Sequence, residues 1–211
     1  MKSISKELIS RVIKKRKSAT HKGNYGRLLL IGGSKKYGGA LIMAAEGALN
    51  SGAGLVTVAT DQVNIAALHT RDPEIMALNW DESVELKNLI KSSDVVICGM
   101  GLGLDEKAQQ ILGLVRDNIT LKQTLILDAS ALDLIGQQTD LLPLNSKILI
   151  FTPHQMEWER LSGIKISDQS DELNQVALDK LVKNKNAILV LKSNHTKVYD
   201  QAGHIYLNPF G

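Results

Sequence analysis

The sequence predicts an open α/β/α sandwich with a mostly parallel central sheet, and three observations carry that prediction. Seven short runs rich in Val, Ile and Leu recur along the chain: RLLLIG, GLVTVAT, EIMAL, DVVICG, TLILD, KILIF and AILVLK. Segments of helical periodicity, such as GALIMAAEGALNSG and EKAQQILGLVRDNI, separate them. The runs are continuously apolar rather than alternating, as expected for strands buried on both faces between two helix layers. The chain of 211 residues is 44% hydrophobic, enough for one large core near the upper end of single-domain size. One domain over residues 1–211 is expected, with no internal repeat, low-complexity tract or linker.

Residues 1–22 hold eight Lys/Arg against one acid, a local +7 within a net charge of +3, so the remaining 189 residues carry −4. In this leader Ile4, Leu8, Val12 and Ile13 recur at helical spacing, which predicts an amphipathic helix within residues 1–20 lying on the body. The run KKRK would suit an acidic partner, but a solvated face whose cations favour a helix C-terminus accounts for it. Aromatic residues make up 4% of the chain and none interleaves the basic run, so no nucleic-acid partner is expected. No continuous apolar stretch follows the N-terminal charges and none approaches membrane-spanning length, so neither a secretory signal nor a membrane partner is expected. The single Cys98 lies in the apolar run DVVICGM, which rules out an internal disulfide. The expectation is a packed thiol in a cytoplasmic protein.

The body opens on KGNYGRLLLIGGSKKYGGA, Lys22 to Ala40. The spacing from Gly33 to Gly38 matches half of a GxxxxGK[ST] phosphate loop, but Gly39 and Ala40 stand where its Lys and Ser/Thr belong. Gly32-Gly33 also lacks the first spacing of a GxGxxG dinucleotide fingerprint. A tight strand-to-helix turn, in which glycine tolerates positive φ, is what remains. The first long helix, GALIMAAEGALNSG, and the strands GLVTVAT and EIMAL follow. Further on, SDQSDELNQ reads as a helix start with Ser167 or Ser170 as N-cap. At the far end, HTKVYD and HIYL flank Gln201-Ala202-Gly203, predicting a hairpin.

Ligands of open sheets bind beyond the carboxyl ends of the strands, so the residues just after each strand are where chemistry is sought. Four such places stand out. DVVIC is followed by GMGLG, where Gly99, Gly101 and Gly103 offer bare backbone to a flat or phosphorylated ligand. TLILD ends on Asp128, before Ala129-Ser130. KILIF runs into TPHQMEWERL, where Thr152-Pro153 stops the strand and His154 and Glu157 fall one helical turn apart. AILVL is followed by Lys192, whose ammonium belongs at the ligand edge. Singly, each has a plain structural reading: a turn, a macrodipole partner for Glu157, a buried carbonyl for His154, a solvated strand end for Lys192. Their common edge favours a site.

These segments, HKGNYGRLLLIGGSKKYGGALIMAAEGAL, SGAGLVTVAT, GMGLG, LDASAL, TPHQMEWERL and LKSNHT, in this order from His21 to Asn208, resemble the ADP-dependent (S)-NAD(P)H-hydrate dehydratases. The resemblance implies a ribokinase-like three-layer fold and a repair lyase that uses ADP or ATP with Mg²⁺ to remove water from the S-epimer of NAD(P)H hydrate. It implies that Ala40, Gly103 and His154 contact the hydrated dinucleotide. It assigns the adenine nucleotide to Lys192, Ser193, Asn194, His195 and Thr196, with Lys192 near its phosphates, and Mg²⁺ to Glu157, through water. On this reading the opening glycine stretch is a wall of the dinucleotide site, not a phosphate loop.

The chain departs from the pattern in three places. Ser130 stands where many relatives have a second aspartate, and Ser193 where glycine is commoner. The family's Asn-Pro pair, here Asn208-Pro209, leads into a GTGD segment whose aspartate serves as base and whose N–H groups hold the anion, and no GxGD occurs in these 211 residues. The fold is therefore expected to be C-terminally incomplete, with the catalytic residue itself unknown, an uncovered sheet face that promotes homo-oligomers, and activity in a longer form but not in this chain. A ribokinase-like small-molecule kinase and a catalytically dead nucleotide-binding protein are the alternatives.

Overall fold

The computed structural model describes residues 2–5, 7, 11–13, 15–16, 18–183 and 186–210. Its strands are β1 (Lys2–Ser3), β2 (Arg27–Ile31), β3 (Leu55–Thr60), β4 (Met76–Asn79), β5 (Val95–Cys98), β6 (Thr124–Leu127), β7 (Ile148–Phe151), β8 (Ala187–Leu191), β9 (Lys197–Asp200) and β10 (Ile205–Leu207). They form one sheet in the order β1-β10-β9-β8-β7-β6-β5-β2-β3-β4. All seven apolar runs read from the sequence are its strands β2 to β8, and every pairing among those seven is parallel. The expected terminal hairpin is β9–β10, antiparallel, with Tyr199 opposite Ile205.

The helices are α1 (Gly38–Asn50), α2 (Ile65–Arg71), α3 (Ser83–Ser92), α4 (Glu106–Asn118), α5 (Ser130–Gln137), α6 (Gln155–Ser162) and α7 (Asp171–Val182). Their starts follow local chemistry. Asp105 accepts the Ala108 N–H at 2.9 Å to cap α4, and Ser170, one of the two candidate caps, accepts the Leu173 N–H at 3.2 Å to cap α7. Gly163, with φ of 77°, closes α6 in the left-handed conformation that glycine adopts without strain.

Alternation along each strand sorts the interior into two cores. The larger lies between the sheet and α3–α7, and includes Leu29, Val96, Leu125, Leu149, Phe151, Leu189 and Trp158. The smaller lies under α1 and α2 on the opposite face, and includes Leu30, Val56, Val58, Leu41 and Leu68. Cys98 is fully buried in the larger core, and burial pushes its thiol up to about 12, so it packs as expected.

The cover is unequal. On the face opposite the larger core, Ile97, Ile126, Ile150 and Ile188 lie in register across β5, β6, β7 and β8, with Val190 beside Val198 of β9. Ile97 packs against the smaller core, whereas the others join neither core and are half-buried. Among the described residues, no helix packs over this part of the sheet.

The leader meets its expectation in part: Glu7, Arg11 and Val12 are helical, but residues 2–5 before them are not. Lys2–Ser3 is a strand, parallel to β10, because the free edge of β10 offers backbone partners that a helix there could not use; the Ile4 N–H extends the pairing to the Leu207 carbonyl at 2.9 Å. Val12 and Ile13 are 71% and 72% exposed, so this part of the expected apolar stripe does not pack on the body. Leu8, the remaining member, lies outside the described residues. Arg16 reaches the body instead, donating to the Gly52 carbonyl at 2.8 Å with its guanidinium 4.3 Å above the Tyr25 ring. Among the described residues no helix is long and apolar enough to cross a membrane.

Candidate active site

The carboxyl ends of β2 to β8 share one edge, and the loops leaving them are tied together through backbone. The Gly33 N–H donates to the Met100 carbonyl at 2.9 Å and the Ser34 N–H to the Gly101 carbonyl at 2.6 Å. Gly99, at φ of 127°, lies so close to the loop after β6 that a Cβ would meet the Asp128 carbonyl. The opening glycine stretch therefore works as a close-packing turn. The Gly33 carbonyl accepts from Thr60 Oγ1 at 2.8 Å and Asn64 Nδ2 at 2.6 Å, which fixes the loop ahead of α1.

Beyond β2 to β5 this edge encloses a cavity of about 720 Å³. Gly103 lines it, at φ of 95°, with its N–H donating to Ser130 Oγ at 3.2 Å. The departure at Ser130 thus supplies an acceptor that joins the loops after β5 and β6. Trp80 and Tyr37 add apolar wall, and Lys35 and Lys36 lie on the rim. Ala40, in the first turn of α1, packs against the smaller core and is not part of the lining.

Beyond β6, β7 and β8 stands a polar cluster. Asp128 Oδ1 accepts from Lys192 Nζ at 2.9 Å and from Thr152 Oγ1 at 2.9 Å, joining the ends of three strands. The Lys192 N–H donates to the Pro153 carbonyl at 2.8 Å, and His154 and Lys192 form a parallel bridge beyond β7 and β8. His154 and Glu157 make a reciprocal cap on α6. The Glu157 N–H donates to His154 Nδ1 at 3.2 Å, the His154 N–H donates to Glu157 Oε2 at 2.8 Å, and His154 Nε2 lies 3.4 Å from Glu157 Oε1. This fits an imidazole carrying its proton on Nε2. Glu157 is 6% exposed and His154 is exposed, so the carboxylate is a fixed acceptor behind a reachable ring.

The segment Ser193–Thr196 is the turn between β8 and β9. His195 takes φ of 123°, rare for a non-glycine residue, and its N–H donates to the Ser193 carbonyl at 3.0 Å. Ser193 Oγ donates back to the His195 carbonyl at 3.1 Å. Ala129 is also outside ordinary space, at φ of 47° and ψ of −121°. Two strained residues flanking the Asp128–Lys192 pair are consistent with a functional edge. Asp128 and Thr152 are the members of the cluster that the sequence reading left without a role. Their positions directly after β6 and β7 were the available signal.

The structure thus gathers the residues expected at the site into two neighbouring groups: Gly103 in the cavity, and His154, Glu157, Lys192 and the following turn in the polar cluster. Among the described residues no three His, Cys, Asp or Glu side chains converge as a metal cage.

The sequence profile of NAD(P)H-hydrate dehydratases matches residues 28–211. This chain belongs to that family. It is 46% identical over all 211 residues, covering 73% of the relative, to the ADP-dependent (S)-NAD(P)H-hydrate dehydratase of Lactiplantibacillus plantarum. The enzyme of the same name from Enterococcus faecalis is 44% identical over 211 residues, with 70% of it covered. Among solved structures, the chain resembles a ribokinase-like superfamily protein of E. faecalis with a TM-score of 0.92 and 43% identity, covering 98% of this chain and 71% of that one. It also resembles the ADP/ATP-dependent NAD(P)H-hydrate dehydratase of Bacillus subtilis co-crystallized with ATP/Mg²⁺, with a TM-score of 0.81 and 27% identity, covering 98% and 72%. Arabidopsis ribokinase, at 12% identity and a TM-score of 0.52 over 87% of this chain and 77% of its own, shares the fold alone. The dehydratase family and the ribokinase-like sandwich are those expected from the motifs.

Proposed function

We propose that this protein dehydrates the S-epimer of NAD(P)H hydrate at the expense of ADP or ATP. The observation that carries the reading is the pairing of an open cavity with an adjacent lysine–carboxylate cluster on one sheet edge, in a chain of the dehydratase family. Dehydration needs a leaving group better than hydroxide. The hydrate hydroxyl releases its proton to solvent as its oxygen bonds to the terminal phosphorus of the nucleotide, displacing AMP from ADP or ADP from ATP. The ring nitrogen then expels the phosphate, the neighbouring carbon loses a proton, and the double bond of NAD(P)H returns.

In this reading Gly103, Ala40 and His154 face the hydrated dinucleotide, with Ala40 acting through the placement of α1 rather than as cavity wall. Lys192 holds the nucleotide phosphates, and the turn Ser193–Thr196 receives the adenosine portion. Asp128 and Thr152 hold the Lys192 ammonium over the edge in advance, lowering the cost of organising it. A single carboxylate completed by phosphates and waters is an ordinary Mg²⁺ arrangement, and Glu157, whose Oε1 among the described residues meets only the 3.4 Å contact from His154 Nε2, fits that part. Bound Mg²⁺ would neutralise charge on the transferring phosphate.

The test is the return of NADH absorbance near 340 nm from chemically prepared (S)-NADH hydrate, with Mg²⁺ and ADP or ATP. Because no GxGD aspartate occurs in these residues, it is run on this chain and on the chain joined to the portion of the L. plantarum relative outside the match. Nucleotide-dependent recovery in either form, with one phosphate released per NADH, supports the proposal. Phosphorylation of an added alcohol without recovery favours a kinase, and nucleotide binding without turnover in both forms favours a binding protein.

A further inference from the structure

The cavity beyond β2 to β5 carries seven charged side chains in its lining, and nearly all are already committed. Asp61 accepts the Val63 N–H at 3.1 Å, and Asp105 is spent on capping α4. Asp133 is paired with Arg160 at 2.8 Å, and Asp81 is paired with Lys107. That leaves Lys35 and Lys36, exposed on the rim and making no ion pair with the described residues. Asp81 and Asp133 are offset by their cations, and Asp61 and Asp105 keep their charge but are held to backbone N–H groups, so Lys35 and Lys36 are the lining cations that no ion pair with the described residues takes up. A cavity of about 720 Å³ is also larger than a nicotinamide-sized ring needs, so it has room for a ribose and phosphate.

We propose that Lys35 and Lys36 recognise a phosphate group of the hydrated dinucleotide and thereby help to select it. The inference rests on the dehydratase reading, and extends it to residues that the family resemblance did not assign. Two adjacent lysines on the loop before α1 cannot both point the same way in an extended backbone. The turn that carries them is bent back, with the Tyr37 N–H donating to the Ser34 carbonyl at 2.9 Å, and that bend brings both to one rim. The phosphate is either part of the diphosphate bridge common to both dinucleotides or the additional one of the NADP form. Both offer the same recognition chemistry, an oxyanion between flexible ammonium groups.

The deciding experiment measures the binding of NADPH and of NADH to the chain by quenching of tryptophan emission. Trp80, which lines the cavity, is the nearer reporter, and Trp158→Phe in the same background removes the signal of the second tryptophan. Binding needs no turnover, so the result stands apart from the repair assay. The double variant Lys35→Ala, Lys36→Ala is expected to weaken NADPH binding about tenfold, with Lys35→Arg, Lys36→Arg restoring it, as solvent-exposed charge-assisted contacts allow. Loss confined to NADPH assigns the additional phosphate, and equal loss for NADH assigns the bridge; either supports the proposal. Unchanged affinity for both in the folded variant would overturn it. No binding to the native chain would also overturn it, whereas hydrate repair without this lysine dependence would leave the dehydratase reading standing.

Discussion

The two halves of the ligand edge are built differently. Beyond β2 to β5 the side chains that line the cavity stand on glycine-rich loops held by interloop backbone hydrogen bonds, over strands covered on both faces. Beyond β6 to β8 the site is made of side chains bonded to one another, over strands covered on one face among the described residues. A backbone wall is set by packing and cannot be changed without moving a loop. A side-chain cluster can lose a member and keep its fold. Substitutions of the wall glycines in the first half should therefore register mainly as stability, and those of the clustered side chains in the second mainly as ligand affinity.

The largest effect is expected at Gly99. Alanine there combines φ of 127° with a Cβ driven into the Asp128 carbonyl, backbone against backbone, so Gly99→Ala should cost about 3 kcal/mol or more in urea unfolding. Gly103→Ala sharpens the point. Its φ is also positive, at 95°, but its nearest neighbours are Ser34 side-chain atoms at 3.8 and 3.9 Å, so only the backbone strain of about 1–2 kcal/mol is expected. Equal costs at the two glycines would break the distinction between close packing and open wall.

A buried network below the second half is next. Trp158 Nε1 donates to Asn174 Oδ1 at 2.8 Å, and Asn174 Nδ2 approaches the Tyr199 hydroxyl at 3.4 Å. Asn174→Ala should cost about 2 kcal/mol in unfolding, because the buried indole N–H is left without an acceptor. Nucleotide affinity should change little, since the network lies on the core side of α6.

The smallest effect is in acid. Burial opposes ionisation of Asp171, but hydrogen bonds from Lys197 at 2.7 Å and the Tyr199 hydroxyl at 2.8 Å outweigh it and hold the carboxyl below its ordinary value. A carboxylate whose folded value is depressed contributes stability above the unfolded value near 3.9, and that contribution disappears as pH falls through the folded value. Asp171→Asn should therefore flatten the loss of stability below about pH 4, by less than about 1 kcal/mol because the pair is partly exposed.

The parallel core of the fold was legible because apolar runs buried on both faces have no other common explanation, and all seven became strands. The short strand Lys2–Ser3 was not, since two polar residues carry no pattern and owe their conformation to the β10 edge. At the candidate site, His154, Glu157 and Lys192 are proposed from their place just after a strand. Asp128 was noticed without a role, because its partners Lys192 and Thr152 lie 64 and 24 residues away and only the sheet order brings them together. Lys35 and Lys36 carry no sequence signal of their own and stand out through their place in the cavity lining without an ion pair among the described residues.

The central claim is that one edge holds two ligands in neighbouring places, the nucleotide at Lys192 and the dinucleotide in the cavity beside it. The measurement that tests it most directly is titration of the native chain and of Lys192→Met, first with ADP and Mg²⁺, then with NADPH. The account predicts about tenfold weaker ADP binding and unchanged NADPH binding in the variant. ADP affinity that survives the loss of Lys192, or NADPH affinity that falls with it, would contradict the division.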